Sequence, residues 1–229
     1  MKALILAAGK GVRMLPLTLD RPKVMIEINN KPFLWYVIEN IKKAGISDIG
    51  VVIGHSFDQV KNYFGDELTY IEQTEQLGTG HAVMQAEEFV GNENFILVMG
   101  DNLYSPRDTR ELASKNDRFC YVSGFVSNNP KAYGVLETDK DLLVKIDEKP
   151  QWPKGNLVNT GLYKLTPEIF KELKTLKKSM RGEYELTDAI NNLTKLLKVK
   201  VYKIKDYWID MSYKEQLPEI SKKLKEIGF

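Results

Sequence analysis

Leu6-Ala7-Ala8-Gly9-Lys10-Gly11-Val12-Arg13-Met14-Leu15-Pro16-Leu17-Thr18, followed closely by Arg21-Pro22-Lys23, is the stretch on which the reading of this chain turns. The apolar run over residues 3–8 has the make-up of a strand buried on both faces. It breaks at Gly9 and Gly11 into a loop whose bare backbone amides can approach an anion closely. Arg13 and Lys23 place two fixed cations within reach of that loop. At the carboxyl end of a first strand in an α/β sheet, such a loop usually meets the phosphates of a nucleotide.

Two better-known glycine loops are excluded by the residues themselves. A P-loop has four residues between its glycines and then Lys-Ser/Thr, whereas one residue separates Gly9 from Gly11 and Arg13 follows. The dinucleotide fingerprint begins well at Gly9-Lys10-Gly11 but has Met14 in place of its third glycine, and Leu15-Pro16 does not open a helix cleanly.

Composition narrows the class. With 229 residues, 43% of them hydrophobic, the chain can bury a full core, and no internal repeat, low-complexity tract or linker divides it. The net charge is only +2, and acidic and basic residues are interspersed, so no nucleic-acid surface is expected. The lone cysteine, Cys120, sits in the apolar run Phe119-Cys120-Tyr121-Val122 and reads as a packed core thiol. No apolar run reaches the roughly 18 residues of a membrane span, and none has the form of a signal peptide. A cytoplasmic protein with no membrane partner is the expectation.

Strand-like runs at residues 3–8, 48–53, 68–71 and 95–99 alternate with helical patterns at 33–44, 58–64 and 80–89, which predicts a doubly wound, mainly parallel first half. After Phe119 come short strands at 121–125, 134–137, 144–147 and 157–163, joined by turn signals. Helices over 167–173 and 186–197, a strand over 200–204 and a terminal helix over 213–227 complete the pattern. The fold class expected is a Rossmann-like, doubly wound α/β unit with a mixed sheet over residues 1–229.

The block from Leu6 to Lys23 resembles the signature of the sugar-1-phosphate nucleotidylyltransferases. Later words agree in order: Gln73-Thr74-Glu75-Gln76-Leu77-Gly78-Thr79-Gly80-His81-Ala82, Gly100-Asp101-Asn102, Tyr133-Gly134-Val135, Glu148-Lys149-Pro150, Asn159-Thr160-Gly161 and Trp208-Ile209-Asp210. The resemblance implies transfer of a nucleotidyl group from a nucleoside triphosphate, with UTP or dTTP foremost, to glucose-1-phosphate or N-acetylglucosamine-1-phosphate. Alternatives left open are cytidylyl transfer to a phosphorylated alcohol such as phosphocholine, and a silent nucleotide-binding regulatory relative. Many relatives add a carboxy-terminal left-handed β-helix. None follows Phe229 in this sequence, so acetyltransfer is not expected. Whether like copies associate is left open.

The reaction brings two anions together, so its catalysis is mainly charge neutralisation and in-line positioning. Arg13, Lys23 and Lys149 are the candidate catalytic cations. The expected nucleotide contacts are Leu6, Ala8, Gly9, Gly11, Gln73, Gly78, Thr79 and Asp101, with Gln73 and Gly78 reading the base through a carboxamide and an unobstructed backbone. Gly134, Glu148, Lys149, Asn159 and Thr160 are expected on the sugar phosphate. Mg²⁺ takes one or two carboxylates plus phosphate oxygens, which points to Asp101 at a strand end and to Asp210. The late Trp-x-Asp word often carries a glycine two residues on, where this chain has Ser212. His81 reads as a residue that caps or packs its helix, and His55 as structural.

Overall fold

A computed structural model describes residues 1–54 and 57–229, with only the backbone of Phe57 described, so His55 lies outside the described residues. The apolar run after Met1 forms β1 (Lys2–Leu6), and a loop with two single 3-10 turns leads to the short β2 (Glu27–Ile28) and β3 (Lys31–Pro32). Then come α1 (Phe33–Lys43), β4 (Ile49–Ile53), α2 (Phe57–Phe64), β5 (Thr69–Glu72), α3 (Thr79–Met84), α4 (Glu87–Val90) and β6 (Phe95–Met99). The second half runs β7 (Asn102–Tyr104), α5 (Pro106–Ala113), β8 (Cys120–Val126), β9 (Gly134–Asp139), β10 (Leu142–Glu148), β11 (Leu157–Leu165), α6 (Glu168–Thr175), α7 (Leu186–Thr194), β12 (Val199–Lys203), β13 (Trp208–Asp210) and α8 (Leu217–Glu226).

Nine of these strands make one sheet in the order β5-β4-β1-β6-β11-β8-β12-β10-β9. β5, β4, β1 and β6 are parallel, whereas β11 is antiparallel to both β6 and β8. At the far end β9 also pairs with β11 through Val135 and Val158, which curls that part of the sheet back on itself. The chain leaves β1 toward β4 and returns to β6 on the other side of β1, so the loops at the carboxyl ends of these two strands diverge. That is the switch point at which open α/β sheets hold their ligands. The Gly100 N–H donates to the Leu6 carbonyl at 2.9 Å, which locks the two loop origins together.

Side-chain alternation divides the core by sheet face. Ala3 and Ile5 of β1 join Phe33, Val37 and Ile41 of α1 and Ile220 and Leu224 of α8. Leu4 and Leu6 join Val83 of α3, Ile169 and Leu173 of α6, and Ile190 and Leu193 of α7. The α1 residues recur at helical spacing, which turns that face onto the sheet.

Several boundaries differ from expectation for local reasons. The helical pattern at 80–89 is two helices separated at Gln85 and Ala86. α7 stops at Thr194, and Leu197 shortly beyond has a left-handed φ of +54°. α8 starts at Leu217, because Gln216 Oε1 accepts from the Ser212 and Tyr213 N–H groups and ties the preceding residues into a turn. α5 is an addition: Ser105 caps it by accepting from the Asp108 N–H at 3.0 Å, with Pro106 in its first turn. Cys120 is buried, 1% exposed, and its burial pushes the thiol pKa up. Among the described residues no helix is long and apolar enough to cross a membrane.

Candidate active site

The loop after β1 carries Arg13 on its first 3-10 turn and Lys23 on its second. Lys23 is nearly buried, 8% exposed, and its Nζ donates to Asp101 Oδ2 at 2.6 Å. Asp101 stands just past the end of β6, and its other oxygen accepts from Asn102 Nδ2 at 2.8 Å. Asn102 is held in turn by Trp208 Nε1, which donates to its Oδ1 at 2.6 Å. Arg13 is exposed, with its guanidinium 5.2 Å from the Tyr213 ring centre.

The β7–β13 pair brings Asp210 to this place. The two strands are antiparallel with Asp210 opposite Asn102, and the Met211 N–H donates to the Asp101 carbonyl at 2.9 Å. Burial and the neighbouring Asp101 charge raise the Asp210 pKa, while hydrogen bonds from Ser212 and Tyr133 and the charge of Lys23 oppose that rise. Ser212 Oγ lies 2.8 Å from each carboxylate oxygen, so the serine found where a glycine is common steadies Asp210 rather than displacing it. Tyr133 OH donates to Asp210 at 3.2 Å, and burial with this carboxylate lifts the phenol to about 12. No three His, Cys, Asp or Glu side chains gather among the described residues into a cage made by protein alone. Two adjacent carboxylates suit a hard divalent cation that takes its other oxygens from phosphate and water.

Two cavities meet at this junction. One, of about 440 Å³, is walled by Leu6, Ala8, Gly9, Gly11, Gln73 and Gly78. The other, of about 300 Å³, is walled by Gly134, Glu148, Lys149, Asn159, Thr160 and Asp210. Arg13, Thr79, Met99, Asp101 and Glu183 line both, and Lys23 lines the first. Each residue expected on the nucleotide therefore reaches the first cavity, and each expected on the sugar phosphate reaches the second.

Gln73 is 4% exposed, and its Nε2 donates to the Gly78 carbonyl at 3.2 Å and meets His81 Nδ1 at 3.0 Å. Gly78 has a φ of +106°, and a Cβ there would stand 2.7 Å from the Tyr184 carbonyl, so only glycine is at ease in this position. Glu148 faces water through its cavity, yet the protein around it raises its pKa by desolvation, with Lys149 and Arg181 opposing. A Cβ on Gly134 would meet Glu148 Oε2 at 2.9 Å, so the missing side chain lets this carboxylate lie against the strand. Lys149 has a left-handed φ of +47°, a strained setting for a lysine that marks a place held by its surroundings.

Thr160 borders the second cavity, while its hydroxyl is bonded to the Ser123 hydroxyl and its carbonyl accepts from Tyr104 OH, so its polar groups also join β11 to β8 and β7. The Asn159 amide is also engaged, donating to Tyr163 OH at 2.7 Å and accepting from the Gly161 N–H at 3.1 Å.

Sequence reasoning missed the segment carrying Arg181, Glu183 and Glu185, which lines the sugar-side cavity. The Tyr184 N–H donates to the Leu77 carbonyl at 2.8 Å, the Tyr184 carbonyl accepts from the Gly80 N–H at 2.7 Å, and Thr79 Oγ1 accepts from the Leu186 N–H at 3.1 Å. The signal available was the pair Gly78 and Gly80, which implies a close backbone neighbour without saying which. Tyr133 and Trp208, which support the charged groups, stood inside quoted words without a role of their own, and Tyr213 stood outside them.

Comparison with known proteins gives the family and the fold. The nucleotidyl transferase family profile matches residues 2–227. A glucose-1-phosphate thymidylyltransferase of Streptomyces antibioticus is 34% identical over 99% of this chain and 67% of its own length. The UTP–glucose-1-phosphate uridylyltransferase AglF of Haloferax volcanii is 33% identical over 99% of this chain and 97% of its own. Other curated relatives are longer, and the chain spans between 54% and 64% of the length of such proteins from Haloferax volcanii and Methanocaldococcus jannaschii. Among solved structures, a UDP-glucose pyrophosphorylase complexed with UDP-glucose superposes with a TM-score of 0.89 at 26% identity, covering 99% of this chain and 98% of that one.

Proposed function

The chain is a member of the nucleotidyl transferase family, and on that premise we propose that it transfers a uridylyl or thymidylyl group from UTP or dTTP to a hexose-1-phosphate, releasing pyrophosphate. The observation that carries this reading is the junction of the two cavities at Arg13 and Asp101, beside Lys23. A nucleotide in one cavity and a sugar phosphate in the other would place their phosphates among these groups. Relatives named for thymidylyl and uridylyl transfer to glucose-1-phosphate support the substrate class.

In this reading a phosphate oxygen of the sugar phosphate attacks the α-phosphorus, and the bond to the bridging oxygen breaks as pyrophosphate leaves. No side chain acts as nucleophile. Lys23 and Arg13 neutralise the triphosphate, Lys149 neutralises the sugar phosphate, and Glu148 and Asn159 hold sugar hydroxyls, with Gly134 giving them room. The loop at Gly9 and Gly11 presents backbone donors to the phosphates, and Gln73 with Gly78 reads the base. Mg²⁺ is the divalent ion we assign to Asp101 and Asp210, where it would neutralise charge on the reacting phosphates. We place the reaction in the cytoplasm, with no nucleic-acid or membrane partner.

The test is pyrophosphate release over a matrix of UTP, dTTP, CTP, ATP and GTP against glucose-1-phosphate, N-acetylglucosamine-1-phosphate, mannose-1-phosphate and phosphocholine. Turnover is expected with UTP or dTTP and a hexose phosphate. Turnover confined to CTP with phosphocholine, or none with any pair, overturns the proposal.

A further inference from the structure

We infer that His81 is a positioning residue that sets which bases the site accepts, by locking the orientation of the Gln73 amide. This deepens the reading of Gln73 as the base contact and rests on it.

A carboxamide can be turned either way, and the two orientations offer a ligand opposite chemistry. Here the choice is made by the neighbours. The Gly78 carbonyl, 3.2 Å away, can only accept, so the group facing it must be the amide nitrogen. The same nitrogen lies 3.0 Å from His81 Nδ1 and can only donate there too, which makes Nδ1 an acceptor and puts the ring proton on Nε2. Both hydrogens of the amide are then committed, and Oε1 alone remains for a ligand in the cavity that Gln73 lines.

An acceptor in that position selects a base edge that donates. The imide N3–H of uracil or thymine meets it, whereas cytosine in the same pose presents the N3 lone pair and is repelled. His81 is itself fixed: it lies in the first turn of α3, and its ring stacks on Tyr184 with centroids 6.5 Å apart. The ring is therefore a rigid acceptor rather than a passing contact.

The experiment measures kcat/KM for UTP, dTTP and CTP with one hexose-1-phosphate in the parent, Gln73→Ala, His81→Leu and His81→Asn. Leucine removes the acceptor, while the asparagine amide oxygen can stand where Nδ1 stands. We expect His81→Leu to lower the ratio of the better dione nucleotide to CTP by about tenfold, the effect of one lost hydrogen bond to a buried group, with His81→Asn restoring most of it. If Gln73→Ala lowers the ratio and His81→Leu does not, the lock is overturned while Gln73 stands as the base contact. An equal fall in His81→Leu and His81→Asn also overturns the lock, because packing alone then accounts for it. A ratio unmoved by Gln73→Ala removes the base reading and the lock together.

Discussion

The two walls of the site are made of different material. The wall we assign to the nucleotide is built from loops at the carboxyl ends of parallel strands, and glycines at 9, 11 and 78 bring backbone to the cavity among the side chains of Arg13, Lys23 and Gln73. The wall we assign to the sugar is built from the antiparallel strands β9, β10 and β11 together with β13, and it presents Glu148 and Asp210, two carboxylates whose pKa values are raised by desolvation. Glycine backbone does not titrate and suits the phosphates that all nucleoside triphosphates share, while Gln73 is left to read the base. A side-chain wall allows choice among sugars, and it holds carboxylates that the folded protein alone disfavours in charged form.

The junction of the walls should give the largest effect. Lys23→Ala removes the cation beside Asp101, and the loss of one preorganised charge contact lowers kcat by roughly a hundredfold, or about 3 kcal/mol. Steady-state pyrophosphate release at saturation in both substrates checks this, and parental turnover would mean the two walls do not converge on Lys23.

Asp210→Asn sharpens the electrostatic contrast. The metal concentration for half-maximal activity should rise roughly tenfold or more. The substrate-free variant should also unfold at a higher temperature than the parent at pH 7. Because the folded pKa of Asp210 is raised, the unfolded chain ionises first, and the parent loses stability as pH climbs from below 3.8 through the raised folded value. The gain in the variant is therefore complete above that folded value and vanishes below pH 3.8. A melting series over pH that shows no gain at pH 7 would remove the contrast.

Matched glycine substitutions compare the walls directly. Gly78→Ala meets both a φ of +106° and the fixed Tyr184 carbonyl, so it should cost about 1–3 kcal/mol of stability and raise KM for the nucleotide. Gly134→Ala meets the Glu148 carboxylate and the Ile146 methyl, each at 2.9 Å but with no left-handed φ to strain, so its cost in stability should be the smaller and it should raise KM for the sugar phosphate about fivefold, on the scale of one weakened hydrogen bond. Interchanged effects, read from the two KM values and from chemical denaturation, would reverse the assignment of the cavities.

The smallest change is expected from Thr160→Val. Its hydroxyl bonds to Ser123 inside the core, so stability should fall by about 1 kcal/mol with both KM values unchanged. A selective rise in KM for the sugar phosphate would give the Thr160 hydroxyl a part in binding the ligand.

The parallel half was legible because β1, β4 and β6 are short apolar runs closed by glycine or polar residues, a local pattern needing no knowledge of partners. Asp101 was legible for the same reason, since it stands where such a run ends, whereas Arg13 and Lys23 were read from the loop that follows β1 and Lys149 from a family word. β7 and β13 have three residues each and exist only as a pair between distant segments, so neither carries periodicity of its own. Asp210 was reached through its resemblance to a family word, while the bonds holding it, from Ser212 and Tyr133, arise from packing that no local pattern encodes. Thr160 shows the converse: a residue inside a telling word whose hydroxyl turns into the core.

The late strand β13 also bears on how the protein is made. A ribosome has released β1, β6 and the glycine loop long before it adds Trp208, Asp210 and Tyr213, the residues that hold Asn102, adjoin Asp101 and back Arg13. A nascent chain halted before that point has much of its nucleotide wall but lacks half of its acidic pair.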